Sequence, residues 1–467
     1  MATTFKTPGV YISESGSFPP SIVGVETAVP AFIGYTEIAE QQGKSLVGVP
    51  VRVSSMADFT AWYGGRFAPS YALVPTTDGL DGVVVDGTLY SLVRAGPRFI
   101  LYDCLQLFFA NGGGYCYIVS CGTYGGLADP PPVAAAPLLQ GLDAIAGEIG
   151  PTMVVVPESF LLPDAASHGG LVAAMLEQCL KTQDRMAILD LWGTDRLSGG
   201  DDFEATVARF RDALASVPQE ALRFAAAYFP FLCTSLVAPE AILPSQFEPP
   251  AGSAPITTAT PGFPELVEAA LRDQGLLPPS PAMAGIYAAV DSSRGVWNAP
   301  ANVGIASVTA PSLDISDDQQ GGLNAPPDGM AVNAIRTFPG QGTLVWGART
   351  LDGNSNDWRY IQVQRTGIYI EQSVKMALTN FVFAPNTAST WATVTTMIGS
   401  FLDGVWTQGG LMGATAEQAY SVQVGLGTTM TTDDVVNGIM RVQVLLAMVH
   451  PAELIELSFE QKMQGGS

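Results

Sequence analysis

The 467-residue sequence predicts a multidomain protein of mixed α/β and α+β class. Three observations carry that expectation. Between Phe99 and Phe229 short apolar runs alternate with segments of helical periodicity. Between Ser45 and Gly96 there are only brief alternating runs broken by Gly and Pro. Beyond Pro281 a hairpin pattern is followed by long helices and a closing strand.

The elements follow in order. "TPGVYISESGSFPP" (7–20) reads as one short strand, with Val10 and Ile12 alternating with Gly9, Tyr11 and Ser13; Pro8 opens it and Gly16, Pro19 and Pro20 close it. No hairpin partner follows, so its N–H and C=O groups must be satisfied elsewhere. "VGVETAVPAFIGYTE" (23–37) is a second, more buried strand region. Runs such as "VGVPVRV" and "GVVVDGTLYSLV" mark a small β-rich unit over 46–97. In "ILYDCLQLFFANGGG" the residues Leu101, Cys104, Leu105 and Phe108 share a helical face, and "YCYIVS" is the strand after it. Helix 138–149, strand "TMVVVPE", helix 170–181, strand "RMAILDL", helix 202–215 and strand "LRFAAAYF" continue the alternation. Such a pattern belongs to a sheet that is at least partly parallel and covered on both faces, here a middle α/β domain over 98–285. Its Pro-rich stretch, 239–281, is expected to be a long loop or linker.

In the last third, 333–350 is a hairpin around "PGQG". A helix is expected over 368–380, with Ile370, Val374, Ala377, Leu378 and Phe381 on one face and Glu371 and Lys375 at i, i+4 on another. Trp391, Val394, Ile398, Phe401 and Val405 mark a second helix, and Thr415 with Gln418 is the capping-box signature of a third. In "PAELIELSFEQK" the residues Ile455, Leu457 and Phe459 alternate with Glu456, Ser458 and Glu460, a strand at the far end of the chain. No internal repeat or heptad array is present.

Composition removes several function classes. A net charge of −22 and a pI near 4.3 repel phosphate backbones, and no basic run offsets them, so no nucleic-acid partner is expected. Five cysteines without CxxC spacing read as reduced core residues of a chain made in the cytosol. No signal peptide follows Met1, and the most apolar segment, 224–239, is interrupted by Pro230, Thr234 and Ser235, so no membrane insertion is expected. A mean hydropathy of +0.25 with 14% charged residues is apolar for a monomer and implies surface buried between chains.

Candidate chemistry is sparse. "GKS" at 43–45 lacks the P-loop glycine, since Ile38 stands there, and "NGGG" at 111–114 follows a helix, as a C-cap does. Glu158 and Asp190 end strands, where α/β enzymes hold Mg²⁺ or substrate, but no phosphate loop completes a site, and the favoured reading is that they cap the next helix or are simply solvated. His168 and His450 have no partner ligand at metal spacing, and there is no GxSxG elbow. No catalytic residue, metal or cofactor is therefore assigned. The alternative is an α/β hydrolase or nucleotide-binding enzyme using those strand-end carboxylates. The two end strands either pair with the chain's own sheet or leave to extend a neighbour's; β-augmentation by two arms per chain would weave a polymer.

"TPGVYISE", "FIGYTE", "RGVWNAPAN", "IRTFPGQGTLVWGART", "WRYIQVQR", "TTMTTDDVVNG" and "PAELIELSF" together resemble the contractile tail sheath family of myophages, R-type tailocins and extracellular contractile injection systems. "LYDCLQLFFANGGGYCYIV" is most similar to the injection-system branch. The resemblance implies a sheath core made of 19–45 and 286–450, with the 46–97 and 98–285 units inserted outward. It also implies linking arms at 1–18 and 451–467 that add strands to neighbouring subunits. Val10, Tyr11 and Ile12 would form one inter-subunit strand and Ile455, Leu457 and Phe459 the other, with Gly16, Pro19 and Pro20 as a hinge. The implied partners are further copies in a helical stack of hexameric rings, an inner tube protein, baseplate and terminal cap proteins, and any sheath paralogues. Glu371 and Lys375 mark the candidate tube-facing helix. The implied function is mechanical and non-enzymatic: a phage tail or tail-like particle whose contracting sheath drives the tube through a target envelope.

Overall fold

The structure, a computed structural model, describes residues 21–77, 82–127, 129–197, 203–250 and 252–454. The chain divides into a larger unit, 26–369 with 450–467, and a smaller one, 1–25 with 370–449.

The larger unit is organised by a nine-stranded sheet. Its strands lie in the order Val303–Gly304, Gly342–Trp346, Val332–Phe338, Ala225–Phe229, Met186–Asp190, Met153–Val155, Pro30–Thr36, Cys116–Thr123 and Val51–Val53. The six strands from Val332–Phe338 to Cys116–Thr123 are parallel, and antiparallel strands close both sides. A parallel strand buried on both faces has no polar side, which is why these segments read as unbroken apolar runs. Successive residues feed opposite cores: Ala31, Ile33, Val154, Ala187, Leu189, Ala225 and Ala227 one, Phe32, Met153, Val155, Ile188, Ala226 and Tyr228 the other. Helices Ala135–Ala144, Ala165–Thr182 and Phe203–Ala213 cover the first face; helices Leu101–Ala110 and Ser280–Arg294 cover the second. That second pair meets at Gly285, where a Cβ would lie 2.4 Å from the Phe108 carbonyl oxygen, so only glycine lets the two backbones approach.

The sheet gathers strands from four stretches separated in the sequence reading. Val51–Val53, expected in the small β-rich unit, pairs with Cys116–Thr123. The 333–350 hairpin forms, as Val332–Phe338 with Gly342–Trp346, and its first strand lies parallel to Ala225–Phe229. Helix Met56–Tyr63, capped by the Ser55 hydroxyl, was not foreseen between the short β runs. The Pro-rich stretch 239–281 is not a linker. It contains strand Phe247–Glu248 and helix Phe263–Gly275, which supply Phe247, Leu266 and Ala270 to a core with Tyr71, Leu73, Val83 and Val85. Pro264 does not break this helix, because proline in the first helical turn loses no hydrogen bond. Strands Ser70–Pro75, Gly82–Val85 and Thr88–Ala95 form a four-stranded sheet with Phe247–Glu248, so the β-rich unit includes a strand of the Pro-rich stretch.

In the smaller unit, helix Ala388–Thr407 buries Val394, Met397, Ile398, Leu402 and Val405, close to the predicted face. The 368–380 helix is longer at its start, Ile361–Leu378, because Gln362, Gln364, Arg365 and Thr366 are buried polar residues that masked the apolar period. The third helix is reduced to Ala416–Ala419. Thr415 makes no side-chain cap there, since Gln418 accepts from the Ala414 amide and the chain turns at once into strand Tyr420–Gln423. That strand pairs only with Gln443–Leu446 among the described residues.

Candidate functional site: strand-end carboxylates and the roots of the terminal segments

The sheet's chain order reverses beside Pro30–Thr36, the position where open α/β sheets hold ligands. Here the chain fills it with its own groups. Glu158, fully buried just past strand Met153–Val155, accepts from the Tyr35 amide through Oε2 (2.8 Å) and from the Ile100 and Leu101 amides through Oε1 (2.8 and 3.3 Å). It thus satisfies the first amides of helix Leu101–Ala110. Asp190 accepts from the Ser280 amide (2.9 Å) and the Ser280 hydroxyl (2.5 Å) at the start of helix Ser280–Arg294. Burial pushes both carboxyls up to about 7. His168, whose ring Nε2 lies 3.1 Å from the Asp190 carbonyl oxygen, is pushed down to about 4 by burial. These are internal caps: among the described residues, the hydrogen bonds of the two carboxylates run to backbone amides and to the Ser280 hydroxyl. No cluster of three metal-ligating side chains occurs among the described residues.

The other proposed motifs resolve simply. Lys44–Ser45 is one side of a tiny hairpin turned by Gln42 and Gly43 at positive φ, and Asn111 caps helix Leu101–Ala110 before Gly112 at φ +93°. The cysteines are free, and burial raises their thiols. No helix of the described residues is long and apolar enough to cross a membrane.

Val10, Tyr11, Ile12, Gly16, Pro19 and Pro20 lie outside the described residues, as do Ile455, Leu457 and Phe459. Glu371 and Lys375 are exposed one turn apart on helix Ile361–Leu378. The roots of both terminal segments are described, and each sits on a buried guanidinium. Arg365 grips Asp291 through two nitrogens (2.7 and 2.5 Å) and donates to the Thr27 carbonyl oxygen (2.9 Å), while the Thr27 hydroxyl donates to Asp291 (2.5 Å). At the other end Arg349 grips Glu453 through Nε and Nη2 (2.9 and 2.6 Å), and Asn324 and Tyr360 donate to the same carboxylate (2.9 and 3.0 Å). Burial alone would raise Glu453, but Arg349 and Asn324 outweigh it and hold the carboxyl below its ordinary range. The sequence reading missed all four charged residues. Arg365 and Glu453 stand inside "WRYIQVQR" and "PAELIELSF", yet their pairing spans 74 and 104 positions and leaves no local periodicity.

Comparison with known proteins bears on these ends. The family model for the phage tail sheath C-terminal domain matches residues 354–462. The helical sheath of the anti-feeding prophage (AFP), solved in its contracted state, is 30% identical over 98% of this chain and 100% of that one, with a TM-score of 0.65. The chain belongs to the phage tail sheath family. Further solved structures match this sheath protein, among them two injection-particle chains. The PVC sheath complex of an extracellular contractile injection system, also contracted, is 28% identical, covering 99% of each chain at a TM-score of 0.64. A chain of the six-fold symmetrised AFP baseplate is 29% identical, over 98% of this chain and 100% of its own, at 0.63. No curated protein sequence matches the sheath protein. Its role is that of a structural sheath subunit in a phage tail or tail-like contractile particle, and the enzymatic alternative finds no support in these relatives.

Proposed function

We propose that this sheath protein is made in the cytoplasm and polymerises as a helical stack of hexameric rings around an inner tube. Contraction of that stack would drive the tube through a target envelope without catalysis. The observation that carries the reading is the match over 98–99% of this chain and 99–100% of theirs to sheath chains captured contracted. Partners on this reading are further copies of the chain, the tube protein, baseplate and terminal cap proteins, and any sheath paralogues; baseplate association is favoured by the likeness to a chain of the AFP baseplate.

The arms at 1–18 and 451–467 would link subunits by strand addition. The pair Tyr420–Gln423 and Gln443–Leu446 suits the acceptor role. A two-stranded sheet is marginal in water, and this one carries Leu445 half exposed. Glu371 and Lys375 are the proposed tube contact. Negative-stain microscopy of the full chain expressed with its tube protein tests the reading: tubes or stacked rings are expected, and a soluble monomer that never assembles under any condition, with or without tube, would sink it.

A further inference from the structure

The chain passes between its two units three times, at 25/26, 369/370 and 449/450. Each passage enters the larger unit beside a buried guanidinium paired with a carboxylate: Thr27 stands one residue inside the first, Arg365 four residues before the second, and the half-buried Glu453 three residues after the third. Asp291, on helix Ser280–Arg294, serves two passages at once, because Arg365 and Thr27 both bond to it. Among the described residues, Arg365–Asp291 is the one ion pair with both side chains less than a tenth exposed, at 4% and 6%. Glu453 is held by three side chains, and Arg349 also donates to the Asn324 and Gly353 carbonyl oxygens, so the guanidinium itself is fixed.

Buried ion pairs are a poor choice for stability alone. Desolvation offsets most of their attraction, and apolar residues of the same volume often serve as well. They differ from apolar contacts in direction. A strand held by apolar burial can slide, since that attraction has no preferred geometry, whereas a bidentate guanidinium–carboxylate pair is lost on a displacement of about 1 Å. We propose that Asp291, Arg365, Arg349 and Glu453 are positioning residues that pin all three passages to the larger unit. A pull arriving through a terminal segment or through the smaller unit is then received by the nine-stranded sheet instead of peeling the connecting segments from it. The pins are a property of the single chain; only their mechanical consequence rests on the sheath reading.

Hydrogen exchange on the full-length monomer tests the pins. Glu453→Gln keeps the shape of the side chain but removes its charge, and Arg365→Lys keeps the charge but loses the fork. Exchange is expected to rise about tenfold or more over 447–454 in the first and over 23–29 in the second, with strands Met186–Asp190 and Ala225–Phe229 unchanged. Asp317→Asn, which breaks the exposed pair with Arg336 away from any passage, should change neither region. Unaltered exchange at the roots, or an equal rise throughout the molecule, overturns the proposal. Sheaths assembled from Glu453→Gln protein provide the second readout: assembly or full contraction should fail, with rescue by Glu453→Asp. If wild-type protein makes no sheath, the sheath reading falls and the exchange result still decides the pins. If Glu453→Gln sheaths assemble and contract like wild type despite a loosened root, the pins carry no load.

Discussion

Asp190→Asn should make this protein more stable at neutral pH, and the geometry sets how much. The carboxylate is fully buried, and no ion pair accompanies it among the described residues. Its bonds are those from the Ser280 amide and hydroxyl. Burial raises it from 3.8 to about 7. Between those values the folded chain keeps a proton that the unfolded chain has released. Stability is therefore full below pH 3.8 and falls by about 1.4 kcal/mol per pH unit until pH 7. At pH 8 the accumulated cost is on the order of 4 kcal/mol; at pH 5.5 it is on the order of 2. Asparagine keeps both contacts, because Oδ1 accepts from the same amide and Nδ2 donates to a Ser280 hydroxyl that has only to rotate. The variant should gain about 2–4 kcal/mol in urea unfolding at pH 8, with the gain shrinking by about 2 kcal/mol at pH 5.5. Glu158, which slopes the same way, and His168, which slopes the opposite way below pH 6.5, are present in both chains and cancel in the difference. A variant less stable than wild type at pH 8, or a gain identical at both pH values, would refute the reasoning.

Three further outcomes follow from the packing and the proposed assembly. Gly285→Ala drives a methyl group into the Phe108 carbonyl and should cost about 2–4 kcal/mol in urea unfolding, with helices Leu101–Ala110 and Ser280–Arg294 losing exchange protection first. Ile12→Pro removes a ladder N–H from the proposed N-terminal linking strand, so sheath assembly by sedimentation should fail while the monomer's Tm moves by no more than about 1 °C. Charge reversal at Glu371 and Lys375 together should weaken assembly on a tube template without altering monomer unfolding; unchanged tube binding assigns that contact elsewhere.

What the sequence showed and hid has a physical pattern. Strands Pro30–Thr36, Met153–Val155, Met186–Asp190 and Ala225–Phe229 were legible because a strand buried on both faces must be apolar throughout. Helix Leu101–Ala110 was legible because one face alone is buried so completely. Helix Phe263–Gly275 was hidden by prolines that mark its start rather than forbid it, and the first turns of Ile361–Leu378 by polar residues whose burial depends on distant parts of the chain. Glu158 and Asp190 were found by position, as residues expected to cap the next helix or to be solvated; both are buried instead, and their donors, Tyr35, Ile100, Leu101 and Ser280, lie 57 to 123 residues away, beyond any local pattern. The same distance concealed the Arg365–Asp291 and Arg349–Glu453 pairs.

The proposed strand links and pins constrain what contraction can exchange. A linking strand of about five residues makes several ladder hydrogen bonds at roughly 0.5–1.5 kcal/mol each, and its buried apolar side chains add about 25 cal/mol per Å². Breaking two such links in every subunit would set a barrier of many kcal/mol against a wave that must cross the whole sheath. Ten extended residues, by contrast, reach roughly 33 Å, and the proposed hinge at Gly16, Pro19 and Pro20 stands in the sequence between the proposed N-terminal strand and Thr27. With the root fixed at Thr27 by Asp291 and Arg365, any swing of the N-terminal arm is confined to the residues before it, and Glu453 sets the same limit at the other end. On this reading the links persist through contraction, the subunits move as near-rigid bodies about them, and the driving energy comes from contacts made between the bodies rather than from any rearrangement inside one.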